Sequence, residues 1–207
     1  MPQQSVFADE LSWPDYDRRV RDGATPILLP IGSMEQHGHH MPMNVDVLLP
    51  VEFARHGVRR ICLFNGHFEN SWFIAEGIDL ALRELKWGGI DTMKIVVLSY
   101  WDFVDKATIE RLYPEGFTGW DIEHGGVLET SLMLALHPGQ VHLDRAVDHA
   151  PATFPPYDVY PVRPEWTPPS GTLSSPKAAS AEKGEILLKV CVDGIVEALE
   201  TEFAPRP

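Results

Sequence analysis

Apolar positions along this chain fall into two rhythms. Short continuous runs, Pro26 to Ile31, Arg59 to Phe64 and Lys94 to Tyr100, predict buried strands. Elsewhere apolar residues recur every three or four positions and predict helices. The first opens at Ser12-Trp13-Pro14, with Ser12 as cap and Pro14 in the first turn, and stops near Gly23. Another runs from Glu69 to Trp87, with Phe73, Ile74, Ile78, Leu82 and Leu85 on one face, and ends at Gly88-Gly89. Leu128 to Leu136 reads as a buried helix. Ala181 to Phe203 reads as an amphipathic one, carrying Leu187, Val190, Cys191, Ile195 and Leu199 on one face. A helix is also expected from Asp46 to His56, where Pro50 is tolerable only near the start, and residues 105–119 predict a surface helix and turn. Strands alternating with helices predict an α/β fold with a mainly parallel sheet.

Residues 150–176 break the pattern. They hold eight of the 18 prolines, too many for regular structure, and their aromatics Phe154, Tyr157, Tyr160 and Trp166 predict a segment wrapped on a surface. At 207 residues and 44% hydrophobic, the chain suits one domain spanning residues 1–207. Thirty acidic against 17 basic residues give a net charge of -13, which argues against nucleic acid and anionic membrane as partners. No apolar run approaches the roughly 20 residues of a membrane span, and the first residues, MPQQSVFADELSW, lack a signal-peptide layout. Cys62 and Cys191 stand in apolar surroundings and read as reduced, buried thiols. A soluble, cytoplasmic protein is expected.

Candidate chemistry gathers where apolar runs end. Ile27 to Asp46 (ILLPIGSMEQHGHHMPMNVD) passes from a strand into Glu35, His37, His39, His40 and Asp46, and Arg60 to Asn70 (RICLFNGHFEN) ends in His67 and Glu69. Ligands of open parallel sheets gather at the carboxyl ends of strands. Glu35-x-His37 and His67-x-Glu69 are i, i+2 pairs, which an extended segment points to one side. With Asp46 they offer two imidazoles and three carboxylates, the set that two divalent cations need, with Asp46 as candidate bridge. Two such cations acidify a water and polarise a carbonyl. Breaking a C–N bond also needs a proton donor to the leaving nitrogen, for which His124, flanked by Glu123 and Asp121, is the candidate. His39, His40, His137, His142 and His149 read as hydrogen-bonded structural residues. Trp101 and Trp120 read equally as core residues, and Glu129 as an ordinary helix residue or the partner of a ligand. A nucleotide-binding reading is weak: PIGSMEQHG lacks the G-x-G-x-x-G spacing and carries acid where a pyrophosphate would sit.

PIGSMEQHGHHMPMNVDVLLP, LFNGHFENSWFIAEGIDLALREL, VVLSYWDF, YPEGFTGWDIEHGGVLETSLMLAL and ATFPPYDV together resemble the creatininase (creatinine amidohydrolase) family over nearly the whole chain. The resemblance implies a three-layer α/β sandwich around a mostly parallel sheet, a binuclear centre of zinc, manganese or both, and a homohexamer. It implies reversible hydrolysis of the cyclic amide of creatinine to creatine. By the same resemblance one metal takes Glu35 and His67, the other His37 and Glu69, with Asp46 between them. His124 becomes the proton donor or shuttle, steadied by Glu123, and Glu69 joins these two among the catalytic residues. Trp101 and Trp120 close over the flat substrate, with Asp121 and the backbone around Phe68 helping to hold it. The family usually has Tyr where this chain has Phe68, so a hydroxyl is missing there.

The resemblance also implies a gap. Between the counterparts of Pro50 and Val51 the family carries a further βα segment, of the order of 30 residues or more, which this sequence lacks, and with it go some substrate contacts. Either the natural chain carries a segment that this sequence does not, which we favour, or the fold closes without it. In the second case Pro50 lies inside a continuous helix at a cost of ~3 kcal/mol. An intact mass well above 23.2 kDa distinguishes the first case. Two further readings stay open: a family relative acting on another amide or formamide, and a non-catalytic metal-binding subunit that lost its pocket with the segment.

Overall fold

The computed structural model describes residues 11–21, 25–31, 59–161 and 163–204. The expected helix from Asp46 to His56 lies outside them. Two compact units emerge, one of Met1–Tyr100 with Ile195–Pro207, the other of Trp101–Gly194.

Among the described residues, the first unit is built on a sheet of three parallel strands in chain order: β1 (Ile27–Ile31), β2 (Arg60–Asn65) and β3 (Lys94–Ser99). β1 and β2 pair from Ile27↔Ile61 to Ile31↔Asn65, and β2 and β3 from Arg60↔Lys94 to Asn65↔Ser99. Alternation along the strands sends Ile27, Leu29, Ile61, Leu63 and Ile95 to one face. There they pack with Tyr16 and Val20 of helix α1 (Trp13–Val20) and with Ile74 and Ile78 of helix α2 (Asn70–Trp87). On the other face Leu28 and Cys62 share a groove of about 450 Å³ with Leu199 and Phe203 of the last helix, α5 (Ala181–Phe203). Helices on both faces of a parallel sheet make the expected α/β sandwich.

The elements end for local reasons. Ser12 holds the cap position of α1, but its hydroxyl donates to Asp15 Oδ2 at 2.5 Å instead of accepting a backbone N–H. α2 closes in a Schellman motif: Gly89 N–H bonds Lys86 O, Ile90 N–H bonds Leu85 O, and Gly89 takes φ +80. Ile90 then packs on Leu85 and Ala81. The last carbonyls of α5 are met by cations from the strand starts, Arg60 Nη1 on Phe203 O at 2.7 Å and Lys94 Nζ on Glu202 O at 2.5 Å.

Two expectations need correction. The buried stripe of α2 is Asn70, Ile74, Gly77, Ala81 and Leu85, while Phe73 is 66% and Leu82 38% exposed. Ile74 and Leu85 are buried as expected, and the small Gly77 and Ala81 complete the stripe where Phe73 and Leu82 do not. The Lys94 to Tyr100 strand stops at Ser99, and Tyr100 begins a 3-10 turn to Phe103.

In the second unit, helices α3 (Lys106–Leu112), α4 (Val127–Leu136) and the first part of α5 enclose a core of Leu112, Leu128 and Leu187. Val104, Ile109, Phe117, Trp120 and Leu132 pack against it. Asp105 caps α3 by accepting from Thr108 N–H at 2.7 Å. Residues 150–161 and 163–176 hold only a 3-10 turn at Pro164–Trp166. Tyr157 and Tyr160 are exposed, contrary to the expected wrap, so the segment is anchored instead by small groups: Ala152, Ser174 and Pro176 are buried, and Ala152 N–H bonds Leu173 O. Cys62 and Cys191 are free and buried, and burial pushes each thiol up to about 11.

Candidate functional site

In the first unit the carboxyl end of β2 runs through Gly66 into His67, Phe68 and Glu69, and Glu69 caps α2. His67 Nε2 and Glu69 Oε2 lie 2.9 Å apart. The pair converges through a turn, with Glu69 at φ -70 and ψ -17, and not through the extended segment that the i, i+2 spacing implied. A buried amide frames the turn. Asn65, 1% exposed, accepts from His67 N–H at 3.1 Å and from Asn70 Nδ2 at 3.3 Å, and donates to Ser99 Oγ at 3.3 Å. It ties the ends of β2 and β3 to the start of α2. Asn65 and Asn70 escaped the sequence reading, although an asparagine closing an apolar strand just before Gly-His is a signal that could have found them. Phe68 is exposed at the same turn.

Glu35, His37 and Asp46, with His39 and His40, lie outside the described residues. Among the described residues no group of three or more His, Cys, Asp or Glu side chains converges. His67 and Glu69 still fit a metal site: one imidazole nitrogen and one carboxylate oxygen, held at the carboxyl end of a parallel strand, are donors of the type zinc and manganese take.

The second unit places the other cluster in one turn. Trp120–Ile122 form a 3-10 turn after Gly119, and the Trp120 ring meets Phe117 edge-on at 5.1 Å while packing on the Leu112, Leu128 and Leu187 core. Asp121 and His124 are exposed. Glu123 turns inward. Its Oε1 accepts from Leu128 N–H at 2.5 Å, and its Oε2 accepts from the Ser174 hydroxyl at 3.5 Å. Burial, the largest influence, raises the Glu123 pKa above the usual carboxylate value; its hydrogen bonds oppose this and nearby Glu129 adds to it. Glu123 was expected to steady His124; no hydrogen bond joins the two, so any such effect passes through the backbone of the turn. Trp101 is half-buried in the 3-10 turn that follows β3. His149 is a structural histidine as expected, with Nδ1–H donated to Ala150 O and Nε2 accepting from Thr172 Oγ1, both at 2.8 Å.

The family model for creatininase, described as creatinine amidohydrolase, matches residues 9–55 and 51–199. This chain belongs to the creatininase family. It is 53% identical over 257 residues to a creatinine amidohydrolase of Pseudomonas putida, covering 98% of this chain and 99% of that protein. It superposes with a TM-score of 0.85 on the manganese form of creatininase, at 53% identity over 97% of this chain and 100% of that one. On a creatininase with glutamine replacing a glutamate, in complex with creatine, the TM-score is 0.84, at 52% identity over 97% and 100% of the two chains. The family model divides at residues 51–55. An alignment of 257 residues against a chain of 207 leaves at least 50 positions of the P. putida creatininase without a counterpart. Both findings agree with a segment absent after Pro50.

Proposed function

We propose that this chain hydrolyses creatinine reversibly to creatine, as one metallohydrolase domain with two divalent ions, zinc, manganese or both. The observation that supports this most is 53% identity along the whole chain to a creatinine amidohydrolase. Glu35 and His67 would hold one ion and His37 and Glu69 the other, with Asp46 between them. When bound, such ions make hydroxide available near neutral pH and polarise the amide carbonyl. Phe68 and Asp121 orient the substrate, and Trp101 and Trp120 cover its flat ring and exclude water. His124, exposed at its turn, passes a proton to the leaving ring nitrogen. Glu123 keeps that turn in place from the interior.

The test is creatine formation from creatinine by the metal-stripped protein, reloaded with Mn²⁺ or Zn²⁺. Turnover restored by metal is the expected result; turnover unaffected by stripping refutes the reading. One observation favours a second reading. The aligned positions missing here belong to a stretch from which the family draws substrate contacts, so a metal-binding subunit without catalysis would retain two ions and form no creatine. A substrate panel separates creatinine from another amide or formamide. We also propose a cytoplasmic homo-oligomer, a hexamer by resemblance. Exposed Trp72, Phe73, Leu80 and Trp87 on α2 support an assembly, and native mass tests it. No described helix is long and apolar enough to cross a membrane.

A further inference from the structure

The peptide group that follows His124 is held on both sides. Its carbonyl, His124 O, accepts from Leu173 N–H at 2.9 Å. Its N–H, on Gly125, donates to Glu129 Oε2 at 2.6 Å. Thr130 Oγ1 donates to the next carbonyl, Gly125 O, at 3.3 Å. Gly125 itself takes φ +63, a conformation that L side chains rarely adopt and that needs such support. A peptide group is planar, so fixing its oxygen and its hydrogen fixes the plane. The plane in turn sets the direction in which the His124 side chain leaves the backbone. Glu129 is the third residue of α4, and its carboxylate reaches back past the helix start, where negative charge is favoured. Glu123 braces the same segment from the other side through Leu128 N–H.

We propose that Glu129 is a positioning residue for His124, acting through the Gly125 amide. The role rests on His124 serving as the proton donor proposed above, and the geometry makes a definite demand. An acceptor at position 129 is needed, and a negative charge is not. Glutamine keeps a carbonyl oxygen that can take the Gly125 N–H, whereas alanine leaves that N–H without its partner.

The test uses the full chain reloaded with Mn²⁺ and compares Glu129→Ala with Glu129→Gln. Glu129→Ala is expected to lower kcat by about 10- to 100-fold, the scale of a misplaced catalytic group, with KM and metal content little changed. Glu129→Gln is expected to recover most of kcat. The second readout needs no turnover and uses the Zn²⁺-loaded protein, because paramagnetic Mn²⁺ broadens nearby signals: the imidazole NMR signals of His124, assigned by their loss in His124→Ala. They should stay at the wild-type position in Glu129→Gln and shift or broaden in Glu129→Ala. Wild-type kcat in Glu129→Ala overturns the proposal, as does equal loss in both variants with the His124 signals unmoved. If the wild-type protein forms no creatine, the proposed function is what fails, and the signals alone decide: moved in alanine only, they support the clamp; unmoved in both, they overturn it.

Discussion

Gly126 is where one added methyl group should be felt most sharply in the second unit. A Cβ built there would lie 2.6 Å from Glu123 Oε1 and 2.7 Å from Oε2, and would overlap the Ser174 hydroxyl. The φ of -82 is negative, so the left-handed strain of a positive φ is not added. The clash with Glu123 is the main effect expected of Gly126→Ala. Glu123 has to swing off the methyl, and its carboxylate then leaves Leu128 N–H, one of the first-turn donors of α4 that have no partner within the helix. Overpacking costs about 1–3 kcal/mol, and a charge-assisted hydrogen bond contributes about 1.5–3 kcal/mol. The two losses share one movement and do not simply add, so a total of roughly 2–4 kcal/mol is expected. In urea, with a slope of about 2 kcal/mol per molar, that is a midpoint lower by about 1–2 M, read by circular dichroism. Gly139→Ala is the control, because nothing lies within 4 Å of its added Cβ; its effect should stay within about 0.5 kcal/mol. A Gly126→Ala midpoint equal to wild type would refute the packing of Glu123 against this glycine.

Three other outcomes follow from the same structure. The Glu123 pKa is raised in the folded chain, so its contribution to stability is fully present below the unfolded value of 4.5 and is lost as pH rises through the raised value. Glu123→Gln lacks that loss, so its urea midpoint should gain on wild type between pH 4 and pH 8; a difference independent of pH would contradict the burial effect. Cys62 and Cys191, with thiols pushed up to about 11, should resist Ellman's reagent at pH 8 until urea is added, and two fast native thiols would contradict their burial. Leu187→Ala, at a position 1% exposed between Leu112 and Leu128, should cost about 2–5 kcal/mol in urea unfolding. A cost below about 0.5 kcal/mol would remove Leu187 from the core.

Element type and place were legible wherever one rhythm dominated. α5 occupies Ala181–Phe203 as expected, because its apolar spacing holds for more than six turns of helix. β2 and α2 fall within a residue of expectation. On α2 the expected Ile74, Ile78 and Leu85 do face the core, but Phe73 and Leu82 do not, and Gly77 and Ala81, which carry almost no hydrophobic signal, are buried there. The site divides in the same way. His67 and Glu69 announce themselves as donors at a strand exit, and they do meet. Asn65 carries a weaker signal, an amide closing an apolar strand before Gly-His, and its role is plain only once its three partners are in place around it. Glu123 stands beside His124 in sequence, but its partners, Leu128 N–H and the Ser174 hydroxyl, come from further along the chain and are not legible from adjacency.

The gap after Pro50 has a consequence in the sheet. All five positions of β1 pair directly with β2, so no strand lies between them, and β2 is equally occupied by β3 on its other side. Among the described residues the order β1-β2-β3 therefore forms without the missing segment. His67 and Glu69 follow β2, the middle strand of the three, and are framed by Asn65, Ser99 and Asn70. Substrate contacts drawn from the missing stretch would be lost with it, whereas the hydrogen-bonded frame around His67 and Glu69 is present. Metal content and creatine formation test the two separately. Two ions bound per chain with creatine formed would show that the remaining residues suffice for the reaction. Two ions bound with none formed would assign the loss to the substrate pocket. No bound metal would place the damage in the ligands themselves, against the geometry of β2.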